Sequence, residues 1–331
     1  MNKLISTITS LEYPFEVNIG GIANAQVKEG KNIWERFQDF LPFPIAEERS
    51  LGEGDTSLVR AKKLSDFVGI ENLLLKNETQ NPTWSFKDRG SIACIAMARF
   101  CNENVTTTIT TGNMGNWIAA YGAKANLKTL IFVPDFTPEE KVMAMSIHGA
   151  TVIKVSAPDY FGMKKKVLEL SKSLELRIVS GNGPIRVEGY KLADFEIFEQ
   201  INGQVPDYIA VPTSACRHIR SLFKGYRELQ EAGLINKLPK MIIVQATNNS
   251  PIVSAIKQRS DHVIPFTNIH TVAEAITTGN PMGGDELIYK SNKYKWLAED
   301  VSEQEILISQ QKMTRSGYFC WTCYRYYSLC R

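Results

Sequence analysis

Short apolar runs recur along this chain at the spacing of strands that alternate with helices, and that alternation restricts the possible folds more than any other feature. The runs are LLLK, TTTITTGN, TLIFVP, ATVIKVS and LRIVSGNG in the first half, then DYIAVP and KMIIVQA. Each is too short for a buried helix, and most are rich in β-branched residues. Stretches with apolar residues at helical spacing lie between them, such as DRGSIACIAMARF from Asp88 to Phe100. Strands that alternate with helices form parallel sheets covered on both faces, so an α/β architecture is expected. A length of 331 residues, 44% of them hydrophobic, is enough for two lobes with separate cores. Residues 1 to about 50 read as an N-terminal arm with a short amphipathic helix over Asn32 to Gln38.

Composition excludes several classes of partner. The net charge is only +3, and no basic stretch interleaved with aromatics occurs before the last residues, so neither nucleic acid nor a membrane surface is implied. No apolar window has the length of a membrane span, and MNKLISTITSLEYPF lacks the apolar core of a secretory leader, so a cytoplasmic protein is expected. Three of the six cysteines, Cys94, Cys101 and Cys216, are scattered, and the other three crowd into the last dozen residues. Cys320 and Cys323 form a lone C-x-x-C pair without a histidine or a second pair, so no metal site is expected.

The chemistry concentrates in NPTWSFKDRG, from Asn81 to Gly90, directly after a run that reads as a strand. Asn81 and Pro82 punctuate the chain, Ser85 can cap a helix, and Lys87 falls just before the helical run that begins at Asp88. A lone lysine in the first turn of a helix is most often a solvated surface group. The string around this one reverses that expectation. Ser85-Phe86-Lys87-Asp88-Arg89-Gly90 resembles the signature of the tryptophan synthase β-like, or fold type II, pyridoxal phosphate enzymes, with the threonine synthase family the nearest match. The resemblance implies two lobes, each with a mostly parallel twisted sheet flanked by helices. It places a small mobile lobe at 90–190, inserted into a large cofactor-binding lobe made of 1–89 and 191–331.

Other segments carry the same resemblance in order. GEGDTSLVRAKKL, from Gly52, is similar to a segment that precedes the lysine motif in that family, with Ser57 where proline is usual. TTGNMGNWIAAYGAKANL has the form of a strand, a small-residue turn and a helix, which favours an anion. By the resemblance, Thr111 and Gly112 hold the substrate carboxylate and Asn113 contacts the cofactor ring. Arg186 in SGNGPIRVEGYK matches an arginine that binds substrate phosphate, with Gly183 where asparagine is usual, and Ser85 is implied in the same task. Lys87 is implied as the catalytic group that forms a Schiff base with pyridoxal 5'-phosphate, beside Phe86.

The segment from Asp207 to Leu229 lies where the family has a strand, a glycine-rich loop and a helix that takes the cofactor phosphate. The corresponding residues are Ser214, Ala215, Cys216, Arg217 and His218. Cys216 and Arg217 stand where two small residues are expected, because phosphate against backbone N–H groups leaves little room for side chains and a turn of this kind can require positive φ. Arg217 then either ligates the phosphate or obstructs the site.

The terminal CWTCYRYYSLCR departs from the family pattern. Dropping the first base of the Cys320 codon permits Val-Gly-Pro-Ala-Thr-Ala-Thr in place of 320–326, so a frameshift is the expectation there. The activity implied is lysis of O-phospho-L-homoserine with water to L-threonine and phosphate, by a homodimer acting on a small amino-acid phosphate. Alternatives are β-replacement or elimination on serine, phosphoserine or threonine, cysteate synthase-like chemistry included, or an inactive relative.

Overall fold

The structure is a computed structural model and describes residues 3–6, 15–110, 113–179 and 183–318. The residues from 319 onward, on which the frameshift expectation falls, lie outside it. The strands are β1 (Lys3–Ser6), β2 (Phe15–Asn18), β3 (Leu58–Arg60), β4 (Leu74–Lys76), β5 (Val105–Ile109), β6 (Lys128–Pro134), β7 (Thr151–Val155), β8 (Tyr208–Pro212), β9 (Lys240–Ala246) and β10 (Leu297–Val301). The helices are α1 (Ile33–Arg36), α2 (Lys62–Val68), α3 (Lys87–Phe100), α4 (Asn113–Lys124), α5 (Glu139–Ser146), α6 (Tyr160–Ser173), α7 (Pro184–Tyr190), α8 (Leu192–Gln200), α9 (Arg217–Glu231), α10 (Pro251–Lys257), α11 (Gly284–Tyr294) and α12 (Glu303–Arg315). They form two compact units, one of Met1–Gln26, Thr56–Thr79 and Ala193–Arg331, the other of Val27–Asp55 and Gln80–Leu192.

In the first unit β9 lies between β8 and β10 in a parallel sheet, with Tyr208 opposite Lys240 and Leu297 opposite Ile242. Successive side chains of a strand point to opposite faces, so alternate residues of β9 enter two cores. Met241 and Ile243 pack with Ile219 and Phe223 of α9 and Leu287 of α11. Ile242 and Val244 pack with Val301 and Ile306. Two antiparallel pairs, β1 with β2 and β3 with β4, complete the unit's strands.

The second unit repeats the arrangement with β6 between β5 and β7, again all parallel. Ile131 and Val133 face Ala119 and Met145, whereas Phe132 faces Met163 and Val167. Two parallel sheets flanked by helices are the fold expected from the sequence. Of the run LRIVSGNG, the described residues 176–179 and 183 form no strand. Ile178 makes one isolated parallel bridge to Thr107, held by the Val179 N–H donating to the Thr107 carbonyl at 2.6 Å. The charged Arg177 interrupts the apolar run and leaves too short a stretch to pair as a strand. Helix α1 is likewise shorter than the expected 32–38: the Asn32 side chain caps it and a 3₁₀ turn over Gln38–Phe40 follows. No helix among the described residues is long and apolar enough to cross a membrane.

Helices α3 and α7 pack closely because each places a glycine where the other comes nearest. A Cβ on Gly189 would overlap the carbonyl oxygen of Arg89, and one on Gly90 would overlap the Tyr190 ring. Gly189→Ala is therefore expected to destabilise the protein by ~3 kcal/mol, read as a lower urea midpoint.

A buried ionic cluster ties β2 to α9 and α11. Glu16, 2% exposed, accepts from Arg227 and from Lys290 at 3.3 Å, while Lys290 and Arg220 also pair with Glu286. Burial alone would raise the Glu16 carboxyl, but Lys290, Arg227, Lys224 and Arg220 outweigh it and hold it at about 2 against the usual 4.5. A carboxyl lowered in the folded state contributes stability that is fully present above 4.5 and is lost as pH falls toward 2. The contribution at neutral pH is roughly 3 kcal/mol. Glu16→Gln is expected to lower neutral-pH stability and to flatten the fall in unfolding free energy between pH 4.5 and 2, followed by denaturant titration at each pH.

Candidate active site

The residues singled out from the sequence divide between the two units. Ser85, Phe86, Lys87, Asn113 and Arg186 belong to the second unit, and Ser214 to His218 belong to the first. Thr111 and Gly112 lie outside the described residues, as does the Asn113 side chain, although Asn113 is the first residue of α4.

Lys87 opens α3, one residue earlier than the pattern predicts. The turn before it is fixed by two buried polar side chains. Asp88, fully buried, accepts from the Thr83 N–H at 2.7 Å and the Thr83 hydroxyl at 2.6 Å. Asn81, 1% exposed, accepts from the Gly54 N–H at 3.1 Å and so ties the GEGD segment to the lysine motif. The Ser85 hydroxyl accepts from the Lys87 N–H at 3.3 Å. Trp84 sits in this turn at a φ of 59° and is 67% exposed.

Aromatic rings surround the Lys87 amine. Its Nζ lies 4.5 Å from the ring centroid of Trp117 on α4 and 5.7 Å from that of Phe86. Phe86 is in turn edge-on to Tyr190 of α7 at 5.0 Å. Trp117 was not foreseen from the sequence, because its approach to Lys87 depends on how α3 and α4 pack.

Arg186 on α7 is 1% exposed, and its Nη1 donates to the Tyr190 hydroxyl at 3.2 Å. Its Nε and Nη2 are buried and have no hydrogen-bond partner among the described residues. A guanidinium does not deprotonate in proteins, so this is a fixed buried charge with donors available to an anion. Lys191, also fully buried, differs: it donates to Glu188 and to the Phe40 carbonyl, both at 2.6 Å.

In the first unit the chain leaves β8 through Thr213 and turns at Ser214–Cys216 into the 15-residue helix α9. Cys216 takes the positive φ that the turn was expected to need, at 69° with ψ −16°. Its side chain does not project from the turn; it is 2% exposed and packs in the core with Ile219 and Leu222. Gly283 makes the room, since a Cβ there would lie 2.9 Å from the Cys216 Cβ. Helix α9 has no side-chain cap and no acidic residue in its first turn, which carries Arg217 and His218 instead. The Ser214 hydroxyl hydrogen-bonds the Thr278 hydroxyl at 2.7 Å. Gln245 supports the turn from β9, donating to the Thr213 carbonyl at 3.1 Å and accepting from the Ile252 N–H at 3.0 Å.

Comparison with known proteins identifies the family and the fold. The family model described as pyridoxal-phosphate dependent enzyme matches residues 49–322. The chain is 35% identical over 290 residues to the threonine synthase of Methanocaldococcus jannaschii, a match covering 86% of this chain and 70% of that one. It is 33% identical over 288 residues to the threonine synthase of Methanosarcina acetivorans, covering 87% and 70%. Among solved structures, threonine deaminase isoform 2 from Solanum lycopersicum superposes with a TM-score of 0.69 at 19% identity, covering 91% of this chain and 83% of that one. Maize serine racemase gives 0.63 at 17%, covering 78% and 74%. At such identities the two structures show a common fold.

Burial pushes the Cys216 thiol up to about 12, ahead of the opposing effect of Arg220. A buried, protonated thiol is a poor nucleophile. Iodoacetamide at pH 8 is therefore expected to modify partly exposed Cys101 while leaving Cys216 intact until the protein is unfolded, as mapped by peptide mass spectrometry. Rapid labelling of Cys216 in native protein would show that its side chain is not packed in the core.

Proposed function

The chain belongs to the family of pyridoxal-phosphate dependent enzymes, and from that membership we propose a lyase of the threonine synthase type, converting O-phospho-L-homoserine and water to L-threonine and phosphate. The buried Arg186, with two donors unmatched among the described residues, is the observation that carries the substrate reading. Nε and Nη2 lie on one edge of the guanidinium and suit two oxygens of a phosphate dianion. Serine and threonine offer no second anion to match them.

The residues present fit the cofactor. A long helix without an N-terminal cap or acidic first turn, entered through a positive-φ turn and carrying two basic side chains, is a donor set for phosphate. Ser214, Ala215, Cys216, Arg217 and His218 would hold that phosphate, Arg217 as a ligand that compensates for the absent small residue. Lys87 would bond the cofactor, with Phe86 beside it and Asn113 orienting the ring. Pyridoxal phosphate, when bound, supplies an electron sink that stabilises negative charge on carbon next to the substrate nitrogen.

The chain's own groups do the remaining work. Lys87 moves protons at the α and β carbons as general base and acid, and the rings of Trp117 and Phe86 keep its amine in place. Thr111 and Gly112 hold the substrate carboxylate, while Ser85 and Arg186 bind the phosphate that leaves with the electrons of the Cγ–O bond. A cytoplasmic homodimer, with a mobile lobe at 90–190 that excludes water, is the setting this reading expects.

The test is an assay of O-phospho-L-homoserine turnover with phosphate and threonine measured separately. Equal amounts of both products are expected, and Lys87→Ala abolishes them. Arg186→Leu is expected to lower kcat/KM by about a hundredfold or more, as removal of two charge-assisted hydrogen bonds would. Neither product from protein that carries the cofactor on Lys87 would overturn the assignment.

A further inference from the structure

We propose that Glu53 and Tyr121 form a positioning lock for Lys87, acting through α4 on the Trp117 ring that faces the lysine amine. The inference rests on the reading of Lys87 as the reactive amine. Glu53 is 2% exposed, and its Oε2 accepts from the Tyr121 hydroxyl at 2.8 Å and from the Leu51 N–H at 3.0 Å. Its Oε1 is buried with no hydrogen-bond partner among the described residues. Tyr121, fully buried, stands four residues beyond Trp117 on α4, so the two side chains leave the same face of the helix. A tie at Tyr121 fixes the rotation and height of α4. It thereby fixes the π face that lies 4.5 Å from the Lys87 Nζ.

The lock depends on a proton. Facing the Glu53 carboxyl are the Ser50 hydroxyl, the Leu51 and Glu53 amides and the Tyr121 phenol, and the charges of Asp88 and Arg89 of α3 also act on the phenol. Burial outweighs the hydrogen bonds and pushes the Glu53 carboxyl up to about 7. Burial, and then the charges of Glu53 and Asp88, push the Tyr121 phenol up, so it remains a donor. Once Glu53 ionises, a buried carboxylate with one unmatched oxygen draws in water and loosens the 51–53 segment from α4. A carboxyl raised in the folded state contributes stability that is fully present below 4.5 and is lost as pH rises to about 7.

The test measures acetic anhydride labelling of Lys87 relative to exposed Lys128 in the full chain stripped of cofactor, between pH 6 and 8.5, with melting temperature recorded in parallel. In the parent protein the ratio is expected to rise by about two- to fivefold, the range set by loss of one cation–π contact. Glu53→Gln retains a neutral acceptor for Tyr121 and is expected to hold the low ratio throughout, with a flatter fall in melting temperature. Tyr121→Phe is expected to show the high ratio already at pH 6. A Glu53→Gln profile that follows the parent, or a Tyr121→Phe ratio equal to the parent's at pH 6, overturns the proposal; if Glu53→Gln does not fold, Tyr121→Phe decides. No cofactor or turnover enters this readout. A chain that shows the pattern but makes no threonine keeps the lock and loses the assigned reaction, and the opposite result separates them the other way.

Discussion

The carbonyl oxygen of Arg89 lies so close to the Cα of Gly189 that no side chain fits between them, and the second unit's chemistry depends on that contact. It sets the separation of α3 from α7. Lys87 opens the first of these helices, and Arg186 stands three residues before the glycine on the second. Tyr190 completes the junction by touching Phe86, approaching Gly90 and accepting from Arg186. A close-packed interior transmits a displacement instead of absorbing it. Separating the helices by the width of a methyl group would therefore move the amine, the guanidinium and the ring between them together.

Much of this was legible in the sequence because it is local. Burial on both faces of β6 and β9 follows from continuous apolar runs between helical stretches, and the start of α3 follows from the punctuation at Asn81 and Pro82. The turn before α9 was placed by the family resemblance, under which small residues are expected because such a turn can require positive φ. Features that depend on long-range packing were not legible. Nothing in GEGD reveals that Glu53 is buried against α4, since the same letters describe a solvated loop. Trp117 reads as an ordinary apolar residue of an amphipathic helix until α3 brings Lys87 to its face. β10 escaped detection because LAEDV is a half-exposed edge strand whose charges hide the alternation.

Buried charge is handled differently around Glu16 and around Lys87. Around Glu16 each buried charge has an opposite neighbour, and the cations beside Glu16 keep its carboxyl ionised until well below neutral pH. Near Lys87, Arg186 and Glu53 keep donors or acceptors unmatched among the described residues. An unmatched buried polar atom costs free energy in the resting protein and gains a partner only when something binds or ionises. The first arrangement suits a scaffold, and the second suits a site.

Two residues other than glycine sit at positive φ beside the expected functional groups, and they are accommodated by different means. Left-handed backbone costs a side-chain-bearing residue roughly 1–2 kcal/mol. Cys216 offsets that cost by burying its thiol in the core, where Gly283 leaves the space. Trp84 gains no such burial, with 67% of its surface exposed. Its turn is held instead by the Trp84 N–H donating to the Asn81 carbonyl at 2.8 Å and by the two bonds from Thr83 to Asp88. The order in front of Lys87 therefore comes from hydrogen bonds to buried Asp88 and Asn81 and not from hydrophobic packing of the turn itself. Such order relies on every partner being present, so strain at Trp84 and the placement of Lys87 are set by the same few bonds.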